Sequence, residues 1–356
     1  LALISCSQKG SGSDDGHNGN EPDEPLDGFD VDGTVEDVPD HFGDTDVELD
    51  ARDSDIPEGQ SLECVVPIRE CGDACRQVTC AGVIFLPWTW DVDGSLVAYY
   101  TRSSSSWHGV GLYIKNLATD EEKKVFAYQD AYYRCNYLSL YHNNIVYDIM
   151  KIGEYDTCFK ALHVFNIETT EDRTATCYTD IFEESGTMHS LDMFGNSIVW
   201  DGKGEGDLLD HSDLFLFDLS TWEKSRLTDR QACVRPRIWE NRVVCAGYVD
   251  SADGSKDVLL HDIETLEVRN LTQFPTDQTW PVIWENRVAW VDFRNGSCAD
   301  IYWCDLPECH PQPATTNGAC QDLPALEGDW IAWHDFSNDS NPIGYGSADH
   351  DNIEIW

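Results

Sequence analysis

Basic residues are scarce in this chain. Lysine and arginine number 23 against 66 aspartates and glutamates over 356 residues, a formal net charge of −43. Such a surface repels phosphate backbones, so nucleic acid is excluded as a partner. Long apolar runs are missing too. No stretch approaches the ~20 apolar residues of a membrane-spanning helix, so contact with a membrane is expected through a lipid anchor only. The sequence also lacks a Gly-x-Ser-x-Gly elbow, a His-Glu-x-x-His pair, a P-loop and a dinucleotide fingerprint. No cofactor, no resident metal and no catalytic residue are therefore expected.

What is present points to an exported all-β protein. Aromatics make up 11 % of the chain, with 13 Trp, and Gly and Pro are plentiful, which suits short strands punctuated by turns. Fourteen cysteines without paired CxxC modules suit disulfides in an oxidising compartment. Cys64, Cys71, Cys75 and Cys80 match no zinc spacing and predict a stapled collar over 61–81. Cys304, Cys309, His310 and Cys320 imitate a zinc set. A bridge is the preferred reading there, and a Cys309–Cys320 disulfide is expected to close a rim loop in the fifth repeat.

The chain opens Leu1-Ala2-Leu3-Ile4-Ser5-Cys6, without an initiator Met or a basic n-region, and residues 1–6 are expected to be the tail of a signal peptide. Leu3-Ile4-Ser5-Cys6 resembles the bacterial lipobox. That resemblance implies lipidation of Cys6, and Ser7 in place of Asp implies sorting to the outer membrane, with a periplasmic or surface-exposed body. Residues 7–60 lack hydrophobic periodicity, and residues 1–60 hold 18 acids and two bases, so 7–60 is expected to be a disordered acidic tether. Asp27, Asp30, Asp32, Gly33 and Asp37 imitate calcium-loop spacing but lack the bidentate Glu at the twelfth position.

Beyond residue 82 a repeat governs the chain. Ile238-Trp239-Glu240-Asn241-Arg242-Val243 returns unchanged 45 residues later as Ile283-Trp284-Glu285-Asn286-Arg287-Val288. Apolar anchors recur at Leu96, Ile145, Ile198, Val243, Val288 and Ile331. Two places before them stand Gly94, Asn143, Asn196, Asn241, Asn286 and Asp329, residues that tolerate the positive φ of a two-residue hairpin turn. Further strands are expected at 112–117, 162–167, 214–219, 258–263, 301–306 and 353–356. Most close on an Asn or Asp that starts the next turn, and outermost strands are expected through Arg226-Leu227-Thr228 and Asn270-Leu271-Thr272. About six four-stranded blades over 82–356 make a β-propeller.

Leu271-Thr272, Gln278, Pro281, Ile283, the run Trp290-Val291-Asp292-Phe293-Arg294-Asn295-Gly296, and Asp300-Ile301-Tyr302 through Asp305-Leu306 resemble the TolB-type propeller repeat. The likeness is sharp over 198–335 and fades in earlier blades, where Thr101–Trp107 and 151–155 depart from the Asp-x-Arg-x-Gly element. It implies the fold, and a cell-envelope scaffold as one role, although the acidic tether stands where that family has a helical domain. The sixth repeat stops before an outer strand. Either the chain continues, or Val83-Ile84-Phe85-Leu86 supplies that strand and closes the ring.

Asp210-His211 is the nearest approach to an acid-base couple, and turn chemistry explains it equally well. Asp292, Arg294 and Asp335 are expected to form structural ion pairs, while Trp107 and Trp222 are the aromatics singled out for stacking. The expectation is a non-catalytic envelope or surface lipoprotein whose propeller binds a protein or polysaccharide. The alternative is a carbohydrate-active enzyme, a polysaccharide lyase or glycoside hydrolase, with its site at the channel mouth.

Overall fold

The computed structural model describes residues 90–102, 110–128, 133–151, 160–178, 190–202, 212–229, 233–248, 254–316, 318–335 and 353–355. The lipobox, the tether, the cysteine collar and the segment 83–86 lie outside them. No helix occurs among the described residues, and the strands form six antiparallel sheets in chain order. Blade 1 comprises Trp90–Asp93, Leu96–Arg102, Val110–Asn116 and Glu122–Tyr128. Blade 2 has an innermost strand in two pieces, Tyr133–Arg134 and Leu138–Tyr141, followed by Asn144–Lys151, Lys160–Asn166 and Asp172–Tyr178. Blade 3 is Leu191–Phe194, Ser197–Gly202, Asp213–Asp218 and Glu223–Arg226. Blade 4 is Cys233–Trp239, Arg242–Gly247, Asp257–Asp262 and Val268–Asn270, and blade 5 is Gln278–Trp284, Arg287–Asp292, Asp300–Asp305 and Gln312–Pro313. Blade 6 shows Gln321–Glu327, Trp330–Asp335 and Ile353–Ile355.

Innermost strands of consecutive blades lie side by side, and the core is a series of layers between blades. Tyr100, Leu112, Ile145 and Tyr147 fill the layer between blades 1 and 2. Trp200, Phe217 and Leu162 fill the next, and Trp290, Val288, Leu260 and Val244 the layer between blades 4 and 5. Trp200 and Trp290 are fully buried. Each such side chain contributes roughly 2–3 kcal/mol through area removed from water.

The anchors fall on second strands as expected, with one correction. In five blades the anchor pairs with the penultimate residue of the innermost strand, as in Val243 with Ile238 and Val288 with Ile283. In blade 1 the residue in that register is Val97, opposite Val92, and Leu96 pairs with Asp93. The turns are two residues long, but positive φ falls on the first of them, Gly94, His142, Gly195, Glu240, Glu285 and Gly328. The second residue serves through its carbonyl. Asn143, Asn196, Asn241 and Asn286 accept from Ile167, Leu219, Ile263 and Leu306 at 2.7–2.8 Å, tying the third strand to the turn.

The innermost strands of blades 4, 5 and 6 each carry a bulge with positive φ at Arg235, Trp280 and Leu323, directly before Pro236, Pro281 and Pro324. Proline has no N–H to donate, so the unpaired position of a bulge accommodates it. The outermost strands end earlier than expected. Leu227 and Leu271 leave the ladder and donate back to the carbonyls of Leu214 and Val258. Thr228 and Thr272 then turn inward, where each hydroxyl donates to Asp213 or Asp257 at 2.8–2.9 Å and accepts from the N–H of Leu214 or Val258 at 2.9 Å.

Candidate functional site

The last residue of each innermost strand stands at the turn-bearing end of the channel. In blade order these are Asp93, Tyr141, Phe194, Trp239, Trp284 and Glu327. Four consecutive blades thus place aromatics at one level. Their ring centroids follow one another at 4.9, 4.6 and 4.4 Å with planes tilted 41–49°, forming a continuous arc. Tyr141 extends it by stacking on His142 at 4.2 Å, and His142 is held to Asp93 through Nδ1 at 2.9 Å. All four rings are partly exposed. Carboxylates border the arc at both ends, Asp93 in blade 1 and the exposed Glu327 in blade 6, with Trp330 standing 56 % exposed opposite Glu327. Arg242 and Arg287, beside the arc, are already engaged by Glu240, Asn286 and Asp305. The mouth is therefore apolar at its centre and acidic at its margin.

Two residues deeper, the same face presents Asp91, Ser139, Asp192, Arg237, Val282 and Ala325. Asp91 accepts from the N–H of Val92 at 2.8 Å and of Leu140, in the next blade, at 2.7 Å. Asp192 accepts from Ser139 Oγ at 3.1 Å and from the N–H of Ile238, again one blade on, at 2.9 Å. Burial raises the pKa of Asp91 to about 6, opposed by its main-chain hydrogen bonds and reinforced by the Asp192 charge. Burial also raises Asp192, against the pull of Arg237. Both carboxylates are committed to main-chain N–H groups. They brace one blade against the next, and that occupation leaves them poorly placed for proton transfer to a substrate.

At the far end of the channel, Asp148 accepts from the N–H groups of Asn136 and Tyr137 at 2.8 and 2.7 Å, bridging the gap in the blade 2 strand. Asp201 holds Ser190 N–H at 2.8 Å, and Arg237 reaches back to the Ser190 hydroxyl. Tyr137 is pushed up to about 12 by burial and by the Asp148 and Asp201 charges. Two rim grooves of about 320 and 490 Å³ in blades 4 and 5 meet at Arg294. Its guanidinium is held by Asp292 at 2.6 Å and lies over the rings of Phe274 and Tyr302, so the mouth is the better candidate site.

Asp292 and Arg294 form the structural pair expected of them, and the buried Asp335 accepts from Gln321 at 3.3 Å in the equivalent place. The expected Cys309–Cys320 bridge is corrected. Cys309 is bonded to Cys304, and Cys320 to Cys298. Cys309 lies in the turn after the third strand of blade 5, whereas Cys320 follows the outermost strand, which has carried the chain to the opposite end of the blade. Each cysteine therefore meets a partner at its own end. Trp222 is covered by the Arg173 guanidinium at 3.5 Å and packs edge-on against Phe217. Cys6, Trp107, Asp210 and His211 lie outside the described residues. Sequence reasoning misses the aromatic arc as a site because Trp239 and Trp284 serve there only to mark the repeat. Aligning the blades by their turns would set them beside Tyr141 and Phe194.

No protein-family model and no curated protein matches the chain. Solved structures do. A structure from an analysis of prolyl endopeptidases matches with TM-score 0.53 and 9 % identity, over 69 % of this chain and 39 % of that one. The β-propeller domain of the Trilobed protease from Pyrococcus furiosus matches with TM-score 0.51 and 11 % identity, over 69 % of this chain and 74 % of that one. TolB from Acinetobacter baumannii has TM-score 0.48 and 14 % identity, over 68 % of this chain and 62 % of its own length. At such identities the likeness speaks for the fold alone: the chain is a β-propeller, and TolB propellers are among the structures similar to it.

Proposed function

We propose that this propeller is a non-catalytic binding module of the bacterial cell envelope, held to the outer membrane through a lipid on Cys6 and the acidic tether, and that it takes a partner at the acid-bordered aromatic mouth. The observation that carries the reading is the four-blade arc Tyr141, Phe194, Trp239 and Trp284, continued on blade 6 by Glu327 and the exposed Trp330. Partly exposed aromatics that already brace one another offer contact area at little conformational cost. The bordering carboxylates favour a protein segment that presents basic and apolar side chains. A glycan is the competing ligand.

Tryptophan fluorescence titrations with Lys/Arg- and aromatic-bearing peptides, and with neutral oligosaccharides, test the proposal. Peptide binding is expected to weaken about thirtyfold or more in Trp284→Ala and Trp330→Ala, losses of hot-spot size, and to survive Trp222→Ala. Binding of oligosaccharides alone would replace the protein partner with a glycan, and binding indifferent to both mouth substitutions would overturn the site. Turnover of a polysaccharide that Asp91→Asn abolishes would establish the enzyme reading instead.

A further inference from the structure

Blade 4 contains a second chemical centre, away from the mouth. Cys233, Cys245 and His261 come from its first, second and third strands. The two cysteines are fully buried and the histidine is 4 % exposed. The Val243 to His261 pairing sets His261 diagonally across from Cys245, on the face packed against blade 3. One ligand atom from each residue lies within 4.8 Å of the others. Cys233 and Cys245 are joined as a disulfide, and His261 Nε2 lies 3.6 Å from Cys233 Sγ. The surroundings are Val199, Leu214, Ile238, Val243 and Leu259. A disulfide sulfur is a weak acceptor, so this imidazole sits in an apolar layer with its ring nitrogen aimed at a poor partner. Burial lowers its pKa to about 4, which leaves it neutral with a lone pair to offer.

We propose that Cys233, Cys245 and His261 form a redox-gated zinc site, closed while the disulfide stands and opened when a dithiol reduces it. The chemistry balances by thiol–disulfide exchange. The Cys233–Cys245 bond breaks, the reductant's two sulfurs join, and two electrons and two protons pass to the protein as two thiols. Zn²⁺ then displaces both thiol protons and takes two thiolates and the imidazole nitrogen, with a position left for water or an exogenous ligand. Charge favours a divalent ion, and thiolate and imidazole ligands favour zinc among these. Two thiolates, a neutral imidazole and Zn²⁺ sum to zero, which an apolar layer tolerates, whereas Cu⁺ would leave a buried negative charge.

The full chain decides this when reduced anaerobically with dithiothreitol, desalted, and supplied with ZnCl₂ or CoCl₂. A Cys233→Ser/Cys245→Ser variant treated alike sets the baseline for the remaining cysteines. The reduced wild type is expected to retain one more zinc per chain than this variant, and the oxidised wild type none more. Co²⁺ should give thiolate-to-metal charge-transfer absorption in excess of that of the double variant, whose remaining thiols set the background. His261→Ala should weaken zinc binding by about tenfold or more, as loss of one of three ligands requires. His261→Asn serves if the alanine variant does not fold. Zinc retention equal to the baseline, a cobalt thiolate band no stronger than that of the double variant, or unchanged affinity in a folded His261 variant would overturn the site.

Discussion

Single residues set the conformational cost of each blade at its first turn. Three blades place Gly at the positive-φ position, Gly94, Gly195 and Gly328, while two place Glu there, Glu240 with φ 54° and Glu285 with φ 50°. An L-residue in the left-handed region costs about 1–2 kcal/mol. The Glu240 carboxylate recovers little through its exposed 3.6 Å pair with Arg242. Glu285→Gly is therefore expected to raise stability by about 0.5 kcal/mol, the relief being partly offset by the extra freedom of Gly in the unfolded chain. Gly195→Ala should lower it by about 1 kcal/mol or somewhat more. A Cβ built at Gly195 meets nothing within 4 Å, so the loss would be conformational. Urea midpoints of the two variants check both signs.

At the scale of the blade, the Asp–Thr cradle joins strand three to the segment after strand four. In blade 4 the Thr272 hydroxyl serves both Asp257 and the Val258 N–H; in blade 5 Thr315 serves Asp300 at 3.4 Å and Ile301 N–H at 2.9 Å. Thr272→Val keeps the shape and removes both bonds, leaving a buried N–H without its acceptor and Asp257 with Asn270. The expected cost is about 1–3 kcal/mol, read from urea unfolding, with faster amide exchange at Val258. Much of this architecture was legible. The identical hexapeptides of blades 4 and 5 set the period, and Asn116, Asn166, Asp218 and Asp262 announced the turns that they cap. The residue pairings were less so. Leu96 and Val97 are both apolar, and only pairing with the preceding strand tells which is the anchor. The Leu-Thr pairs looked like strand because the groups that draw them off the ladder, the main chain of Leu214 and Val258 and the carboxylates of Asp213 and Asp257, lie far back in sequence. The disulfides of blade 5 depend on strand direction, and the aromatic arc depends on four blades meeting, neither of which spacing along one chain displays.

The whole molecule gathers acid both outside and within, and pH separates the two. A chain of net charge −43 repels itself more as its carboxylates ionise, but that repulsion acts through solvent and is screened by salt. Asp91 is different: it is shielded by the blades, and its pKa stands at about 6 against 3.8 for the ordinary carboxyl. Between those values the folded state binds more protons than the unfolded one, so the contribution of Asp91 to stability falls as pH rises from about 4 to about 6 and stays low above. The distance between the two values sets an upper limit of roughly 3 kcal/mol on that loss. Asp91→Asn removes the ionisation while an amide oxygen remains to accept from Leu140. Urea midpoints measured at pH 4.5 and 7.5, in low and in high salt, distinguish the sources. The surface part of the decline should shrink in high salt for both proteins. The difference between wild type and Asp91→Asn should persist in high salt, with the variant losing less stability over the interval. Equal declines in both proteins at high salt would mean that Asp91 titrates as an ordinary surface carboxylate and that the brace between blades 1 and 2 costs nothing to ionise.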